Sequence, residues 1–258
     1  MTIVNLSLQR TAGLARANAT LVLRNRMAFI YAVILPLLPL GLLLADDRSS
    51  GGAGAAAVIT ALMMAALFPV YYNLLSQLVT RRDELVLKRL RTGESTDADI
   101  IASLALPGLV VALATAAIAV PVAVALGQDL PLNLLLYAVT VVVTLLLFAA
   151  FACWTAAWTR NAEAAQITSM PVIVLVVLGQ VAVGFPEEVR RWTELTPGAA
   201  MTELVRVSWF GFEGGSTERT LALGDTWAAA GEPLLVLSAW AVLAVVLARR
   251  SMRWEPRP

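Results

Sequence analysis

RRDELVLKRLRTGE, residues 81–94, holds five of the chain's 19 basic residues and three acids, and long apolar runs flank it on both sides. Charge at that density is costly inside hydrocarbon. The stretch therefore reads as a loop outside a membrane, and the runs beside it read as spans. Composition agrees. The 258 residues are 59% hydrophobic and 14% charged, with a mean hydropathy of +0.77, well above the roughly half-apolar content of soluble domains.

Working outward, a spanning helix needs about 20 mostly apolar residues to cross the bilayer. Six stretches meet or approach that length: about 27–45, 53–79, 99–126, 132–158, 164–184 and 228–248. The expected fold is an all-α membrane protein with six transmembrane helices in one domain over 1–258. In the sixth stretch only Pro233 to Ala248 is continuously apolar, so that helix is predicted to begin near Trp227 to Ala230, with Glu232 close to the outer interface.

Basic residues set the orientation. With the N-terminus, the 80–98 loop, the 159–163 loop and the C-terminus on one side, that side collects 14 of the 19 basic residues and seven of the 18 acids. It then carries +7 and the opposite side −6. Both termini are therefore predicted cytoplasmic, and the even number of spans agrees with their lying on one side. The start of the chain lacks the apolar core and cleavage site of a signal peptide, so it is expected to be retained.

Residues 1–26 are predicted to form an amphipathic helix on the cytoplasmic surface. Leu6, Leu8, Leu14, Leu21, Val22 and Leu23 supply the apolar contacts, and Arg10, Arg16, Arg24 and Arg26 reach anionic headgroups. Gly13 and Asn18 interrupt the pattern, and a positively charged tail is the alternative. On the outer side, 185–227 is long. Thr196 and Pro197 suit a helix cap and first turn, and Val205, Trp209 and Phe210 would give that helix a greasy face on or dipping into the outer leaflet.

As a helix, residues 81–92 pair Glu84 with Lys88 four positions on. Val86, Leu87 and Leu90 cluster on one side with Leu85 at its edge, ringed by Arg81, Arg82, Lys88, Arg89 and Arg91. Thr92 and Gly93 end it, and Ser95 to Asp97 can cap the next span. A loop serving only as a topogenic charge marker would not need this aliphatic cluster. An exposed apolar knob usually has a partner.

RRDELVLKRLRTGES, directly after the second span, resembles the cytoplasmic coupling segment of ATP-binding cassette (ABC) exporter permeases of the second type, the family that includes daunorubicin-resistance-like permeases. The matching residues are Arg82, Glu84, Leu87, Lys88, Arg89, Leu90, Arg91 and Thr92. LRNRMAFIYAVILPLLPLGLL (23–43) is similar to that family's first span with its basic interface helix, and LTPGAAMTELVR (195–206) to its outer re-entrant segment. Two departures stand out: Gly93 replaces an expected proline, and Asp83 to Val86 lacks a glycine often seen there.

The resemblance implies a permease subunit that pairs with a second permease, as homo- or heterodimer, and with cytosolic ABC ATPase subunits. It implies that Arg82, Glu84, Val86, Leu87, Lys88, Arg89, Leu90 and Arg91 form the ATPase-coupling element. ATP and Mg would then sit on the partner ATPase, with no cofactor on this chain. It also places the second and fifth spans along a translocation path. Candidate lining residues are Phe68, Tyr72, Asn73, Ser76, Gln166, Ser169 and Gln180, and helix-to-helix hydrogen bonding is the bland alternative for each.

Several chemistries are excluded by residue type. The chain has no histidine and a single cysteine, Cys153, which removes histidine bases, histidine metal sites, Cys-His pairs and disulfides. A phosphate-binding loop needs G-x-x-x-x-G-K-[ST], but Lys88 is the only lysine and leucine precedes it. No catalytic or metal site is expected. The net charge of +1 and the lack of a basic face give no sign of a nucleic-acid partner.

No ionisable residue lies centrally in the spans as drawn, which counts against an ion-gradient-driven carrier. That carrier and a non-transporting scaffold are the competing classes. Prolines 36, 39, 69, 107, 121 and 171 fall in or near spans and can kink them. Arginine outnumbers lysine 18 to one, which suggests a GC-rich bacterium. The expected location is the bacterial plasma membrane, in contact with its lipids, and the expected cargo is an amphiphile such as a drug, antibiotic, lipid or peptide.

Overall fold

The computed structural model describes residues 30, 34–44, 51–91, 96–181 and 186–252. The interface helix predicted over 1–26 lies outside the described residues. Of the first predicted span only Ile30 and 34–44 are described, and there Leu35–Leu44 forms a short apolar helix, α1.

Among the described residues five helices are long and apolar enough to cross a membrane. They are α2 (Gly51–Asp83), α4 (Asp97–Ala125), α5 (Leu134–Ala156), α6 (Ala164–Val181) and the last helix, Gly231–Ser251. Among the described residues every element is helical. Between α2 and α4 lies the short α3 (Val86–Arg91). After α6 come α7 (Glu187–Glu194), α8 (Pro197–Val205), the brief α9 (Thr226–Ala229) and α10 (Gly231–Ser251).

Local chemistry explains the ends. Thr96 caps α4 in a reciprocal box: its hydroxyl accepts from the Asp99 amide at 3.2 Å, and the Asp99 carboxylate accepts from the Thr96 amide at 3.1 Å. Such a cap contributes about 1 kcal/mol. Asn133 caps α5 by accepting from the Leu136 amide at 2.9 Å. Thr196 accepts from the Ala199 amide at 3.3 Å, with Pro197 in the first turn of α8, as the Thr-Pro pair predicts.

Span two is not one regular helix. Its middle, Leu67–Tyr72, is a π-helical turn around buried Pro69. Proline has no amide hydrogen to give, and the wider turn absorbs the defect. A Cβ on Gly108 would overlap the Pro69 carbonyl, so glycine lets α4 approach the turn closely. A similar crossing joins α6 to α8, where a Cβ on Gly179 would overlap the Ala199 amide and one on Gly198 the Val176 carbonyl.

The segment expected on the outer side differs from its predicted lipid-facing placement. Val205, Trp209 and Phe210 face the protein interior instead of lipid, with Trp209 0% exposed. Trp209 meets Tyr137 of α5 edge-on at 5.0 Å between ring centres and donates its Nε1 hydrogen to the Asp129 carbonyl at 3.0 Å. The indole carries a polar tip that needs a partner once buried, and the 127–133 turn supplies it. At the other end of α8, Trp240 of α10 donates to the Leu195 carbonyl at 2.8 Å.

Candidate functional site

The charged stretch does not form one helix over 81–92. Span two runs on to Asp83, the backbone breaks at Glu84 and Leu85, and α3 follows. At the break the Glu84 amide donates to the Thr80 carbonyl and the Leu85 amide to the Arg82 carbonyl, both at 3.0 Å. Leu85 has φ of 60°. A left-handed residue with a Cβ costs about 1–2 kcal/mol, and strain of this kind concentrates at functional sites.

The break rearranges the expected knob. Leu87 is 1% exposed and belongs to the core, while Val86 and Leu90 are half-buried. Leu85, expected at the edge, is the exposed aliphatic residue at 42%. Asp83, Glu84, Lys88 and Arg89 are exposed around it, and the side chain of Arg91 lies outside the described residues. Beside the break an open cleft of about 350 Å³ is lined by Thr80, Asp83 and Glu84 from α2 and its end, and by Asn161, Ala162 and Glu163 from the turn before α6.

Arg82 faces inward. It is 2% exposed. Its Nη1 donates to the Ala156 carbonyl at 2.8 Å, and its Nη2 to the carbonyls of Thr159 at 2.5 Å and Arg160 at 3.1 Å. An arginine inside a basic run offers no sequence signal of such burial.

The candidate path residues divide. Phe68 stacks on Tyr72 with ring centres 5.9 Å apart, and the Tyr72 hydroxyl shares a hydrogen bond with Ser169 at 3.1 Å. Ser169 also donates to the Gln166 carbonyl. Asn73 donates to the Pro69 carbonyl at 3.2 Å and accepts from Gln77 at 3.0 Å. Helices α2 and α6 thus meet through Tyr72 and Ser169, while the side chains of Ser76 and Gln166 are exposed. Gln180 lies apart, about 16 Å along α6 from Ser169 at 1.5 Å per residue. Its amide nitrogen is buried without a hydrogen-bond partner among the described residues.

A second buried arginine is one to which the sequence reading assigns no role. Arg206, in the π-helical turn Arg206–Phe210 after α8, pairs with Glu203 at 3.2 Å, donates to the carbonyls of Gly214 and Ser216, and lies 5.7 Å from the Phe212 ring centre. Burial pushes the Glu203 carboxyl above its ordinary range, and Arg206 opposes that shift. The i,i+3 spacing of acid and arginine was the available signal.

These features define a multi-span helical membrane protein whose charged end presents a strained, exposed aliphatic residue beside a cleft. The chain matches the family described as ABC-2 type transporter over residues 5–209, and it belongs to that family. No curated protein matches the chain.

Proposed function

We propose that the chain is the permease subunit of an ABC exporter, moving an amphiphilic substrate outward with energy from ATP hydrolysis on separate ATPase subunits. Family membership supports an ABC permease. The observation that carries the finer reading is the break at Glu84 and Leu85, which turns an aliphatic side chain out among Asp83, Glu84, Lys88 and Arg89. An apolar centre with a charged rim is the pattern of a protein-binding patch. On this reading the end carrying α3 is cytoplasmic, Leu85 enters a groove on the ATPase, and the rim charges fix its orientation.

Spans two and five then flank the translocation route. The aromatic pair Phe68 and Tyr72, with Ser169, Asn73 and Ser76, gives a mildly polar wall that an amphiphile can pass without meeting a fixed charge. Two permease subunits enclosing that route, in a bacterial plasma membrane, complete the proposal.

Co-purification of the full chain with the ABC ATPases of its source genome, co-expressed with it, tests this. Leu85→Asp is expected to leave the fold intact and lower ATPase capture at least about tenfold, as for a hot-spot residue worth about 1.4 kcal/mol or more. Unchanged capture by that variant refutes docking through Leu85. Leu87→Asp is unsuitable for the purpose, because it would bury a carboxylate in the core.

A further inference from the structure

At the charged end, where α2 and α5 also pack on each other, the Arg82 side chain joins the last turn of α2 to the end of α5 and the turn after it. Helix α5 stops at Ala156, and the last carbonyls of a helix lack partners within it. The Arg82 guanidinium takes the Ala156 carbonyl on one nitrogen and those of Thr159 and Arg160 on the other. A planar fork of donors suits this arrangement, and its charge complements the negative end of the helix dipole. The linked residues are 74 to 78 positions apart in the sequence, so the bond ties two separate spans together.

Two residues beyond Arg82 the backbone breaks, Leu85 is left-handed, and α3 begins. Helix α3 packs on α2 and α4, and Leu87 anchors it in the core. A displacement of α3 therefore reaches Arg82 through a joint of two residues. Beyond Arg82 it reaches α5, which packs along the length of α10.

We propose that Arg82 is a positioning residue that makes the ends of α2 and α5 move as one piece, so that force applied at the Leu85 face is passed to the α5 and α10 pair. The inference rests on the permease reading above. Arg82 contributes no surface to the ATPase, and its effect comes through the α5 end. Lysine cannot replace it, since a point charge on a flexible stem does not hold three diverging carbonyls.

The test is hydrogen exchange on the full chain in complex with its ATPase, in lipid nanodiscs, with and without ATP plus vanadate. In the native complex, vanadate trapping is expected to change exchange both in 84–91 and in the 157–163 turn. In Arg82→Lys the response in 84–91 persists while that in 157–163 falls at least about fivefold, the lower end of typical coupling between sites. A native-sized response at 157–163 in Arg82→Lys, or none there in the native complex, overturns the proposal. If Arg82→Lys does not assemble, a single glycine inserted after Glu84 keeps the clamp and loosens the joint. That variant must then lose the 157–163 response, and a full response refutes the inference. Failure of the permease reading looks different: the native chain captures no ATPase at all.

Discussion

Among the described residues two arginines are buried, at opposite ends of the molecule, and they are used differently. Arg82 bonds to carbonyls 74 to 78 residues away, at the end of another span and in the turn that follows it. Arg206 bonds to carbonyls eight and ten residues away and to a carboxylate three residues away. The first fastens one helix to another, and the second fastens a loop to the helix it leaves. Removing Arg82 should therefore disturb the relation between spans, while removing Arg206 should loosen only the segment that follows α8.

The largest expected effect is that of Arg82→Ala, which strands buried carbonyls that now receive charge-assisted hydrogen bonds. At about 1.5–3 kcal/mol for a bond to a charged group, the loss should be at least about 3 kcal/mol. Thermal unfolding of the purified chain would read it, and a loss below about 1 kcal/mol would erase the contrast between the two arginines. Arg206→Ala comes next at about 1–3 kcal/mol, reduced because the Glu203 side chain is 32% exposed and can reach water. Adding Glu203→Gln should recover part of that loss, and a double variant no better than the single would show that the ion pair is not what matters.

Proton linkage gives a smaller effect. Burial raises the Glu203 carboxyl, while Arg206 lowers it and Glu194 raises it further. A carboxyl raised on folding stabilises most below its unfolded value, about 4.3, and that contribution is lost as pH rises through the folded value. Proteolysis of the 211–225 loop should therefore quicken as pH climbs out of the acid range, and Glu203→Gln should flatten the profile. A flat profile in the native chain would remove this distinction between the two ends.

The smallest effect is expected from Leu85→Gly. Relief of the left-handed strain, about 1–2 kcal/mol, is offset by about 0.5–1 kcal/mol of glycine flexibility. Stability should rise slightly while ATPase capture weakens. A clear loss of stability would mean that the leucine side chain has a packing role that its exposure conceals.

Much of this fold is legible in the residues. Long apolar runs foretell α2, α4, α5, α6 and α10, because crossing a bilayer leaves little choice of composition or length. Thr196 and Pro197 mark the start of α8 by local capping chemistry alone. The break at Leu85 is different, since neither glycine nor proline announces it and leucine seldom adopts that conformation. The long-range grip of Arg82 holds α2 in place up to that point, and a pairing across 74 residues leaves no local pattern. Trp209 misleads for a related reason: an aromatic near a predicted interface suits lipid, but the Asp129 carbonyl and the Tyr137 ring, distant in sequence, claim it instead.

The π-helical turn at Leu67–Tyr72 has a consequence for how this span can change over generations. One residue more than a regular turn requires shifts the angular phase by about 100°, so the face that α2 shows below the turn is offset by a fixed angle from the face it shows above. The turn thereby sets where Arg82 and Leu85 point. Deleting one residue within 67–72 would remove that offset and swing the charged end around the helix axis by more than a quarter turn.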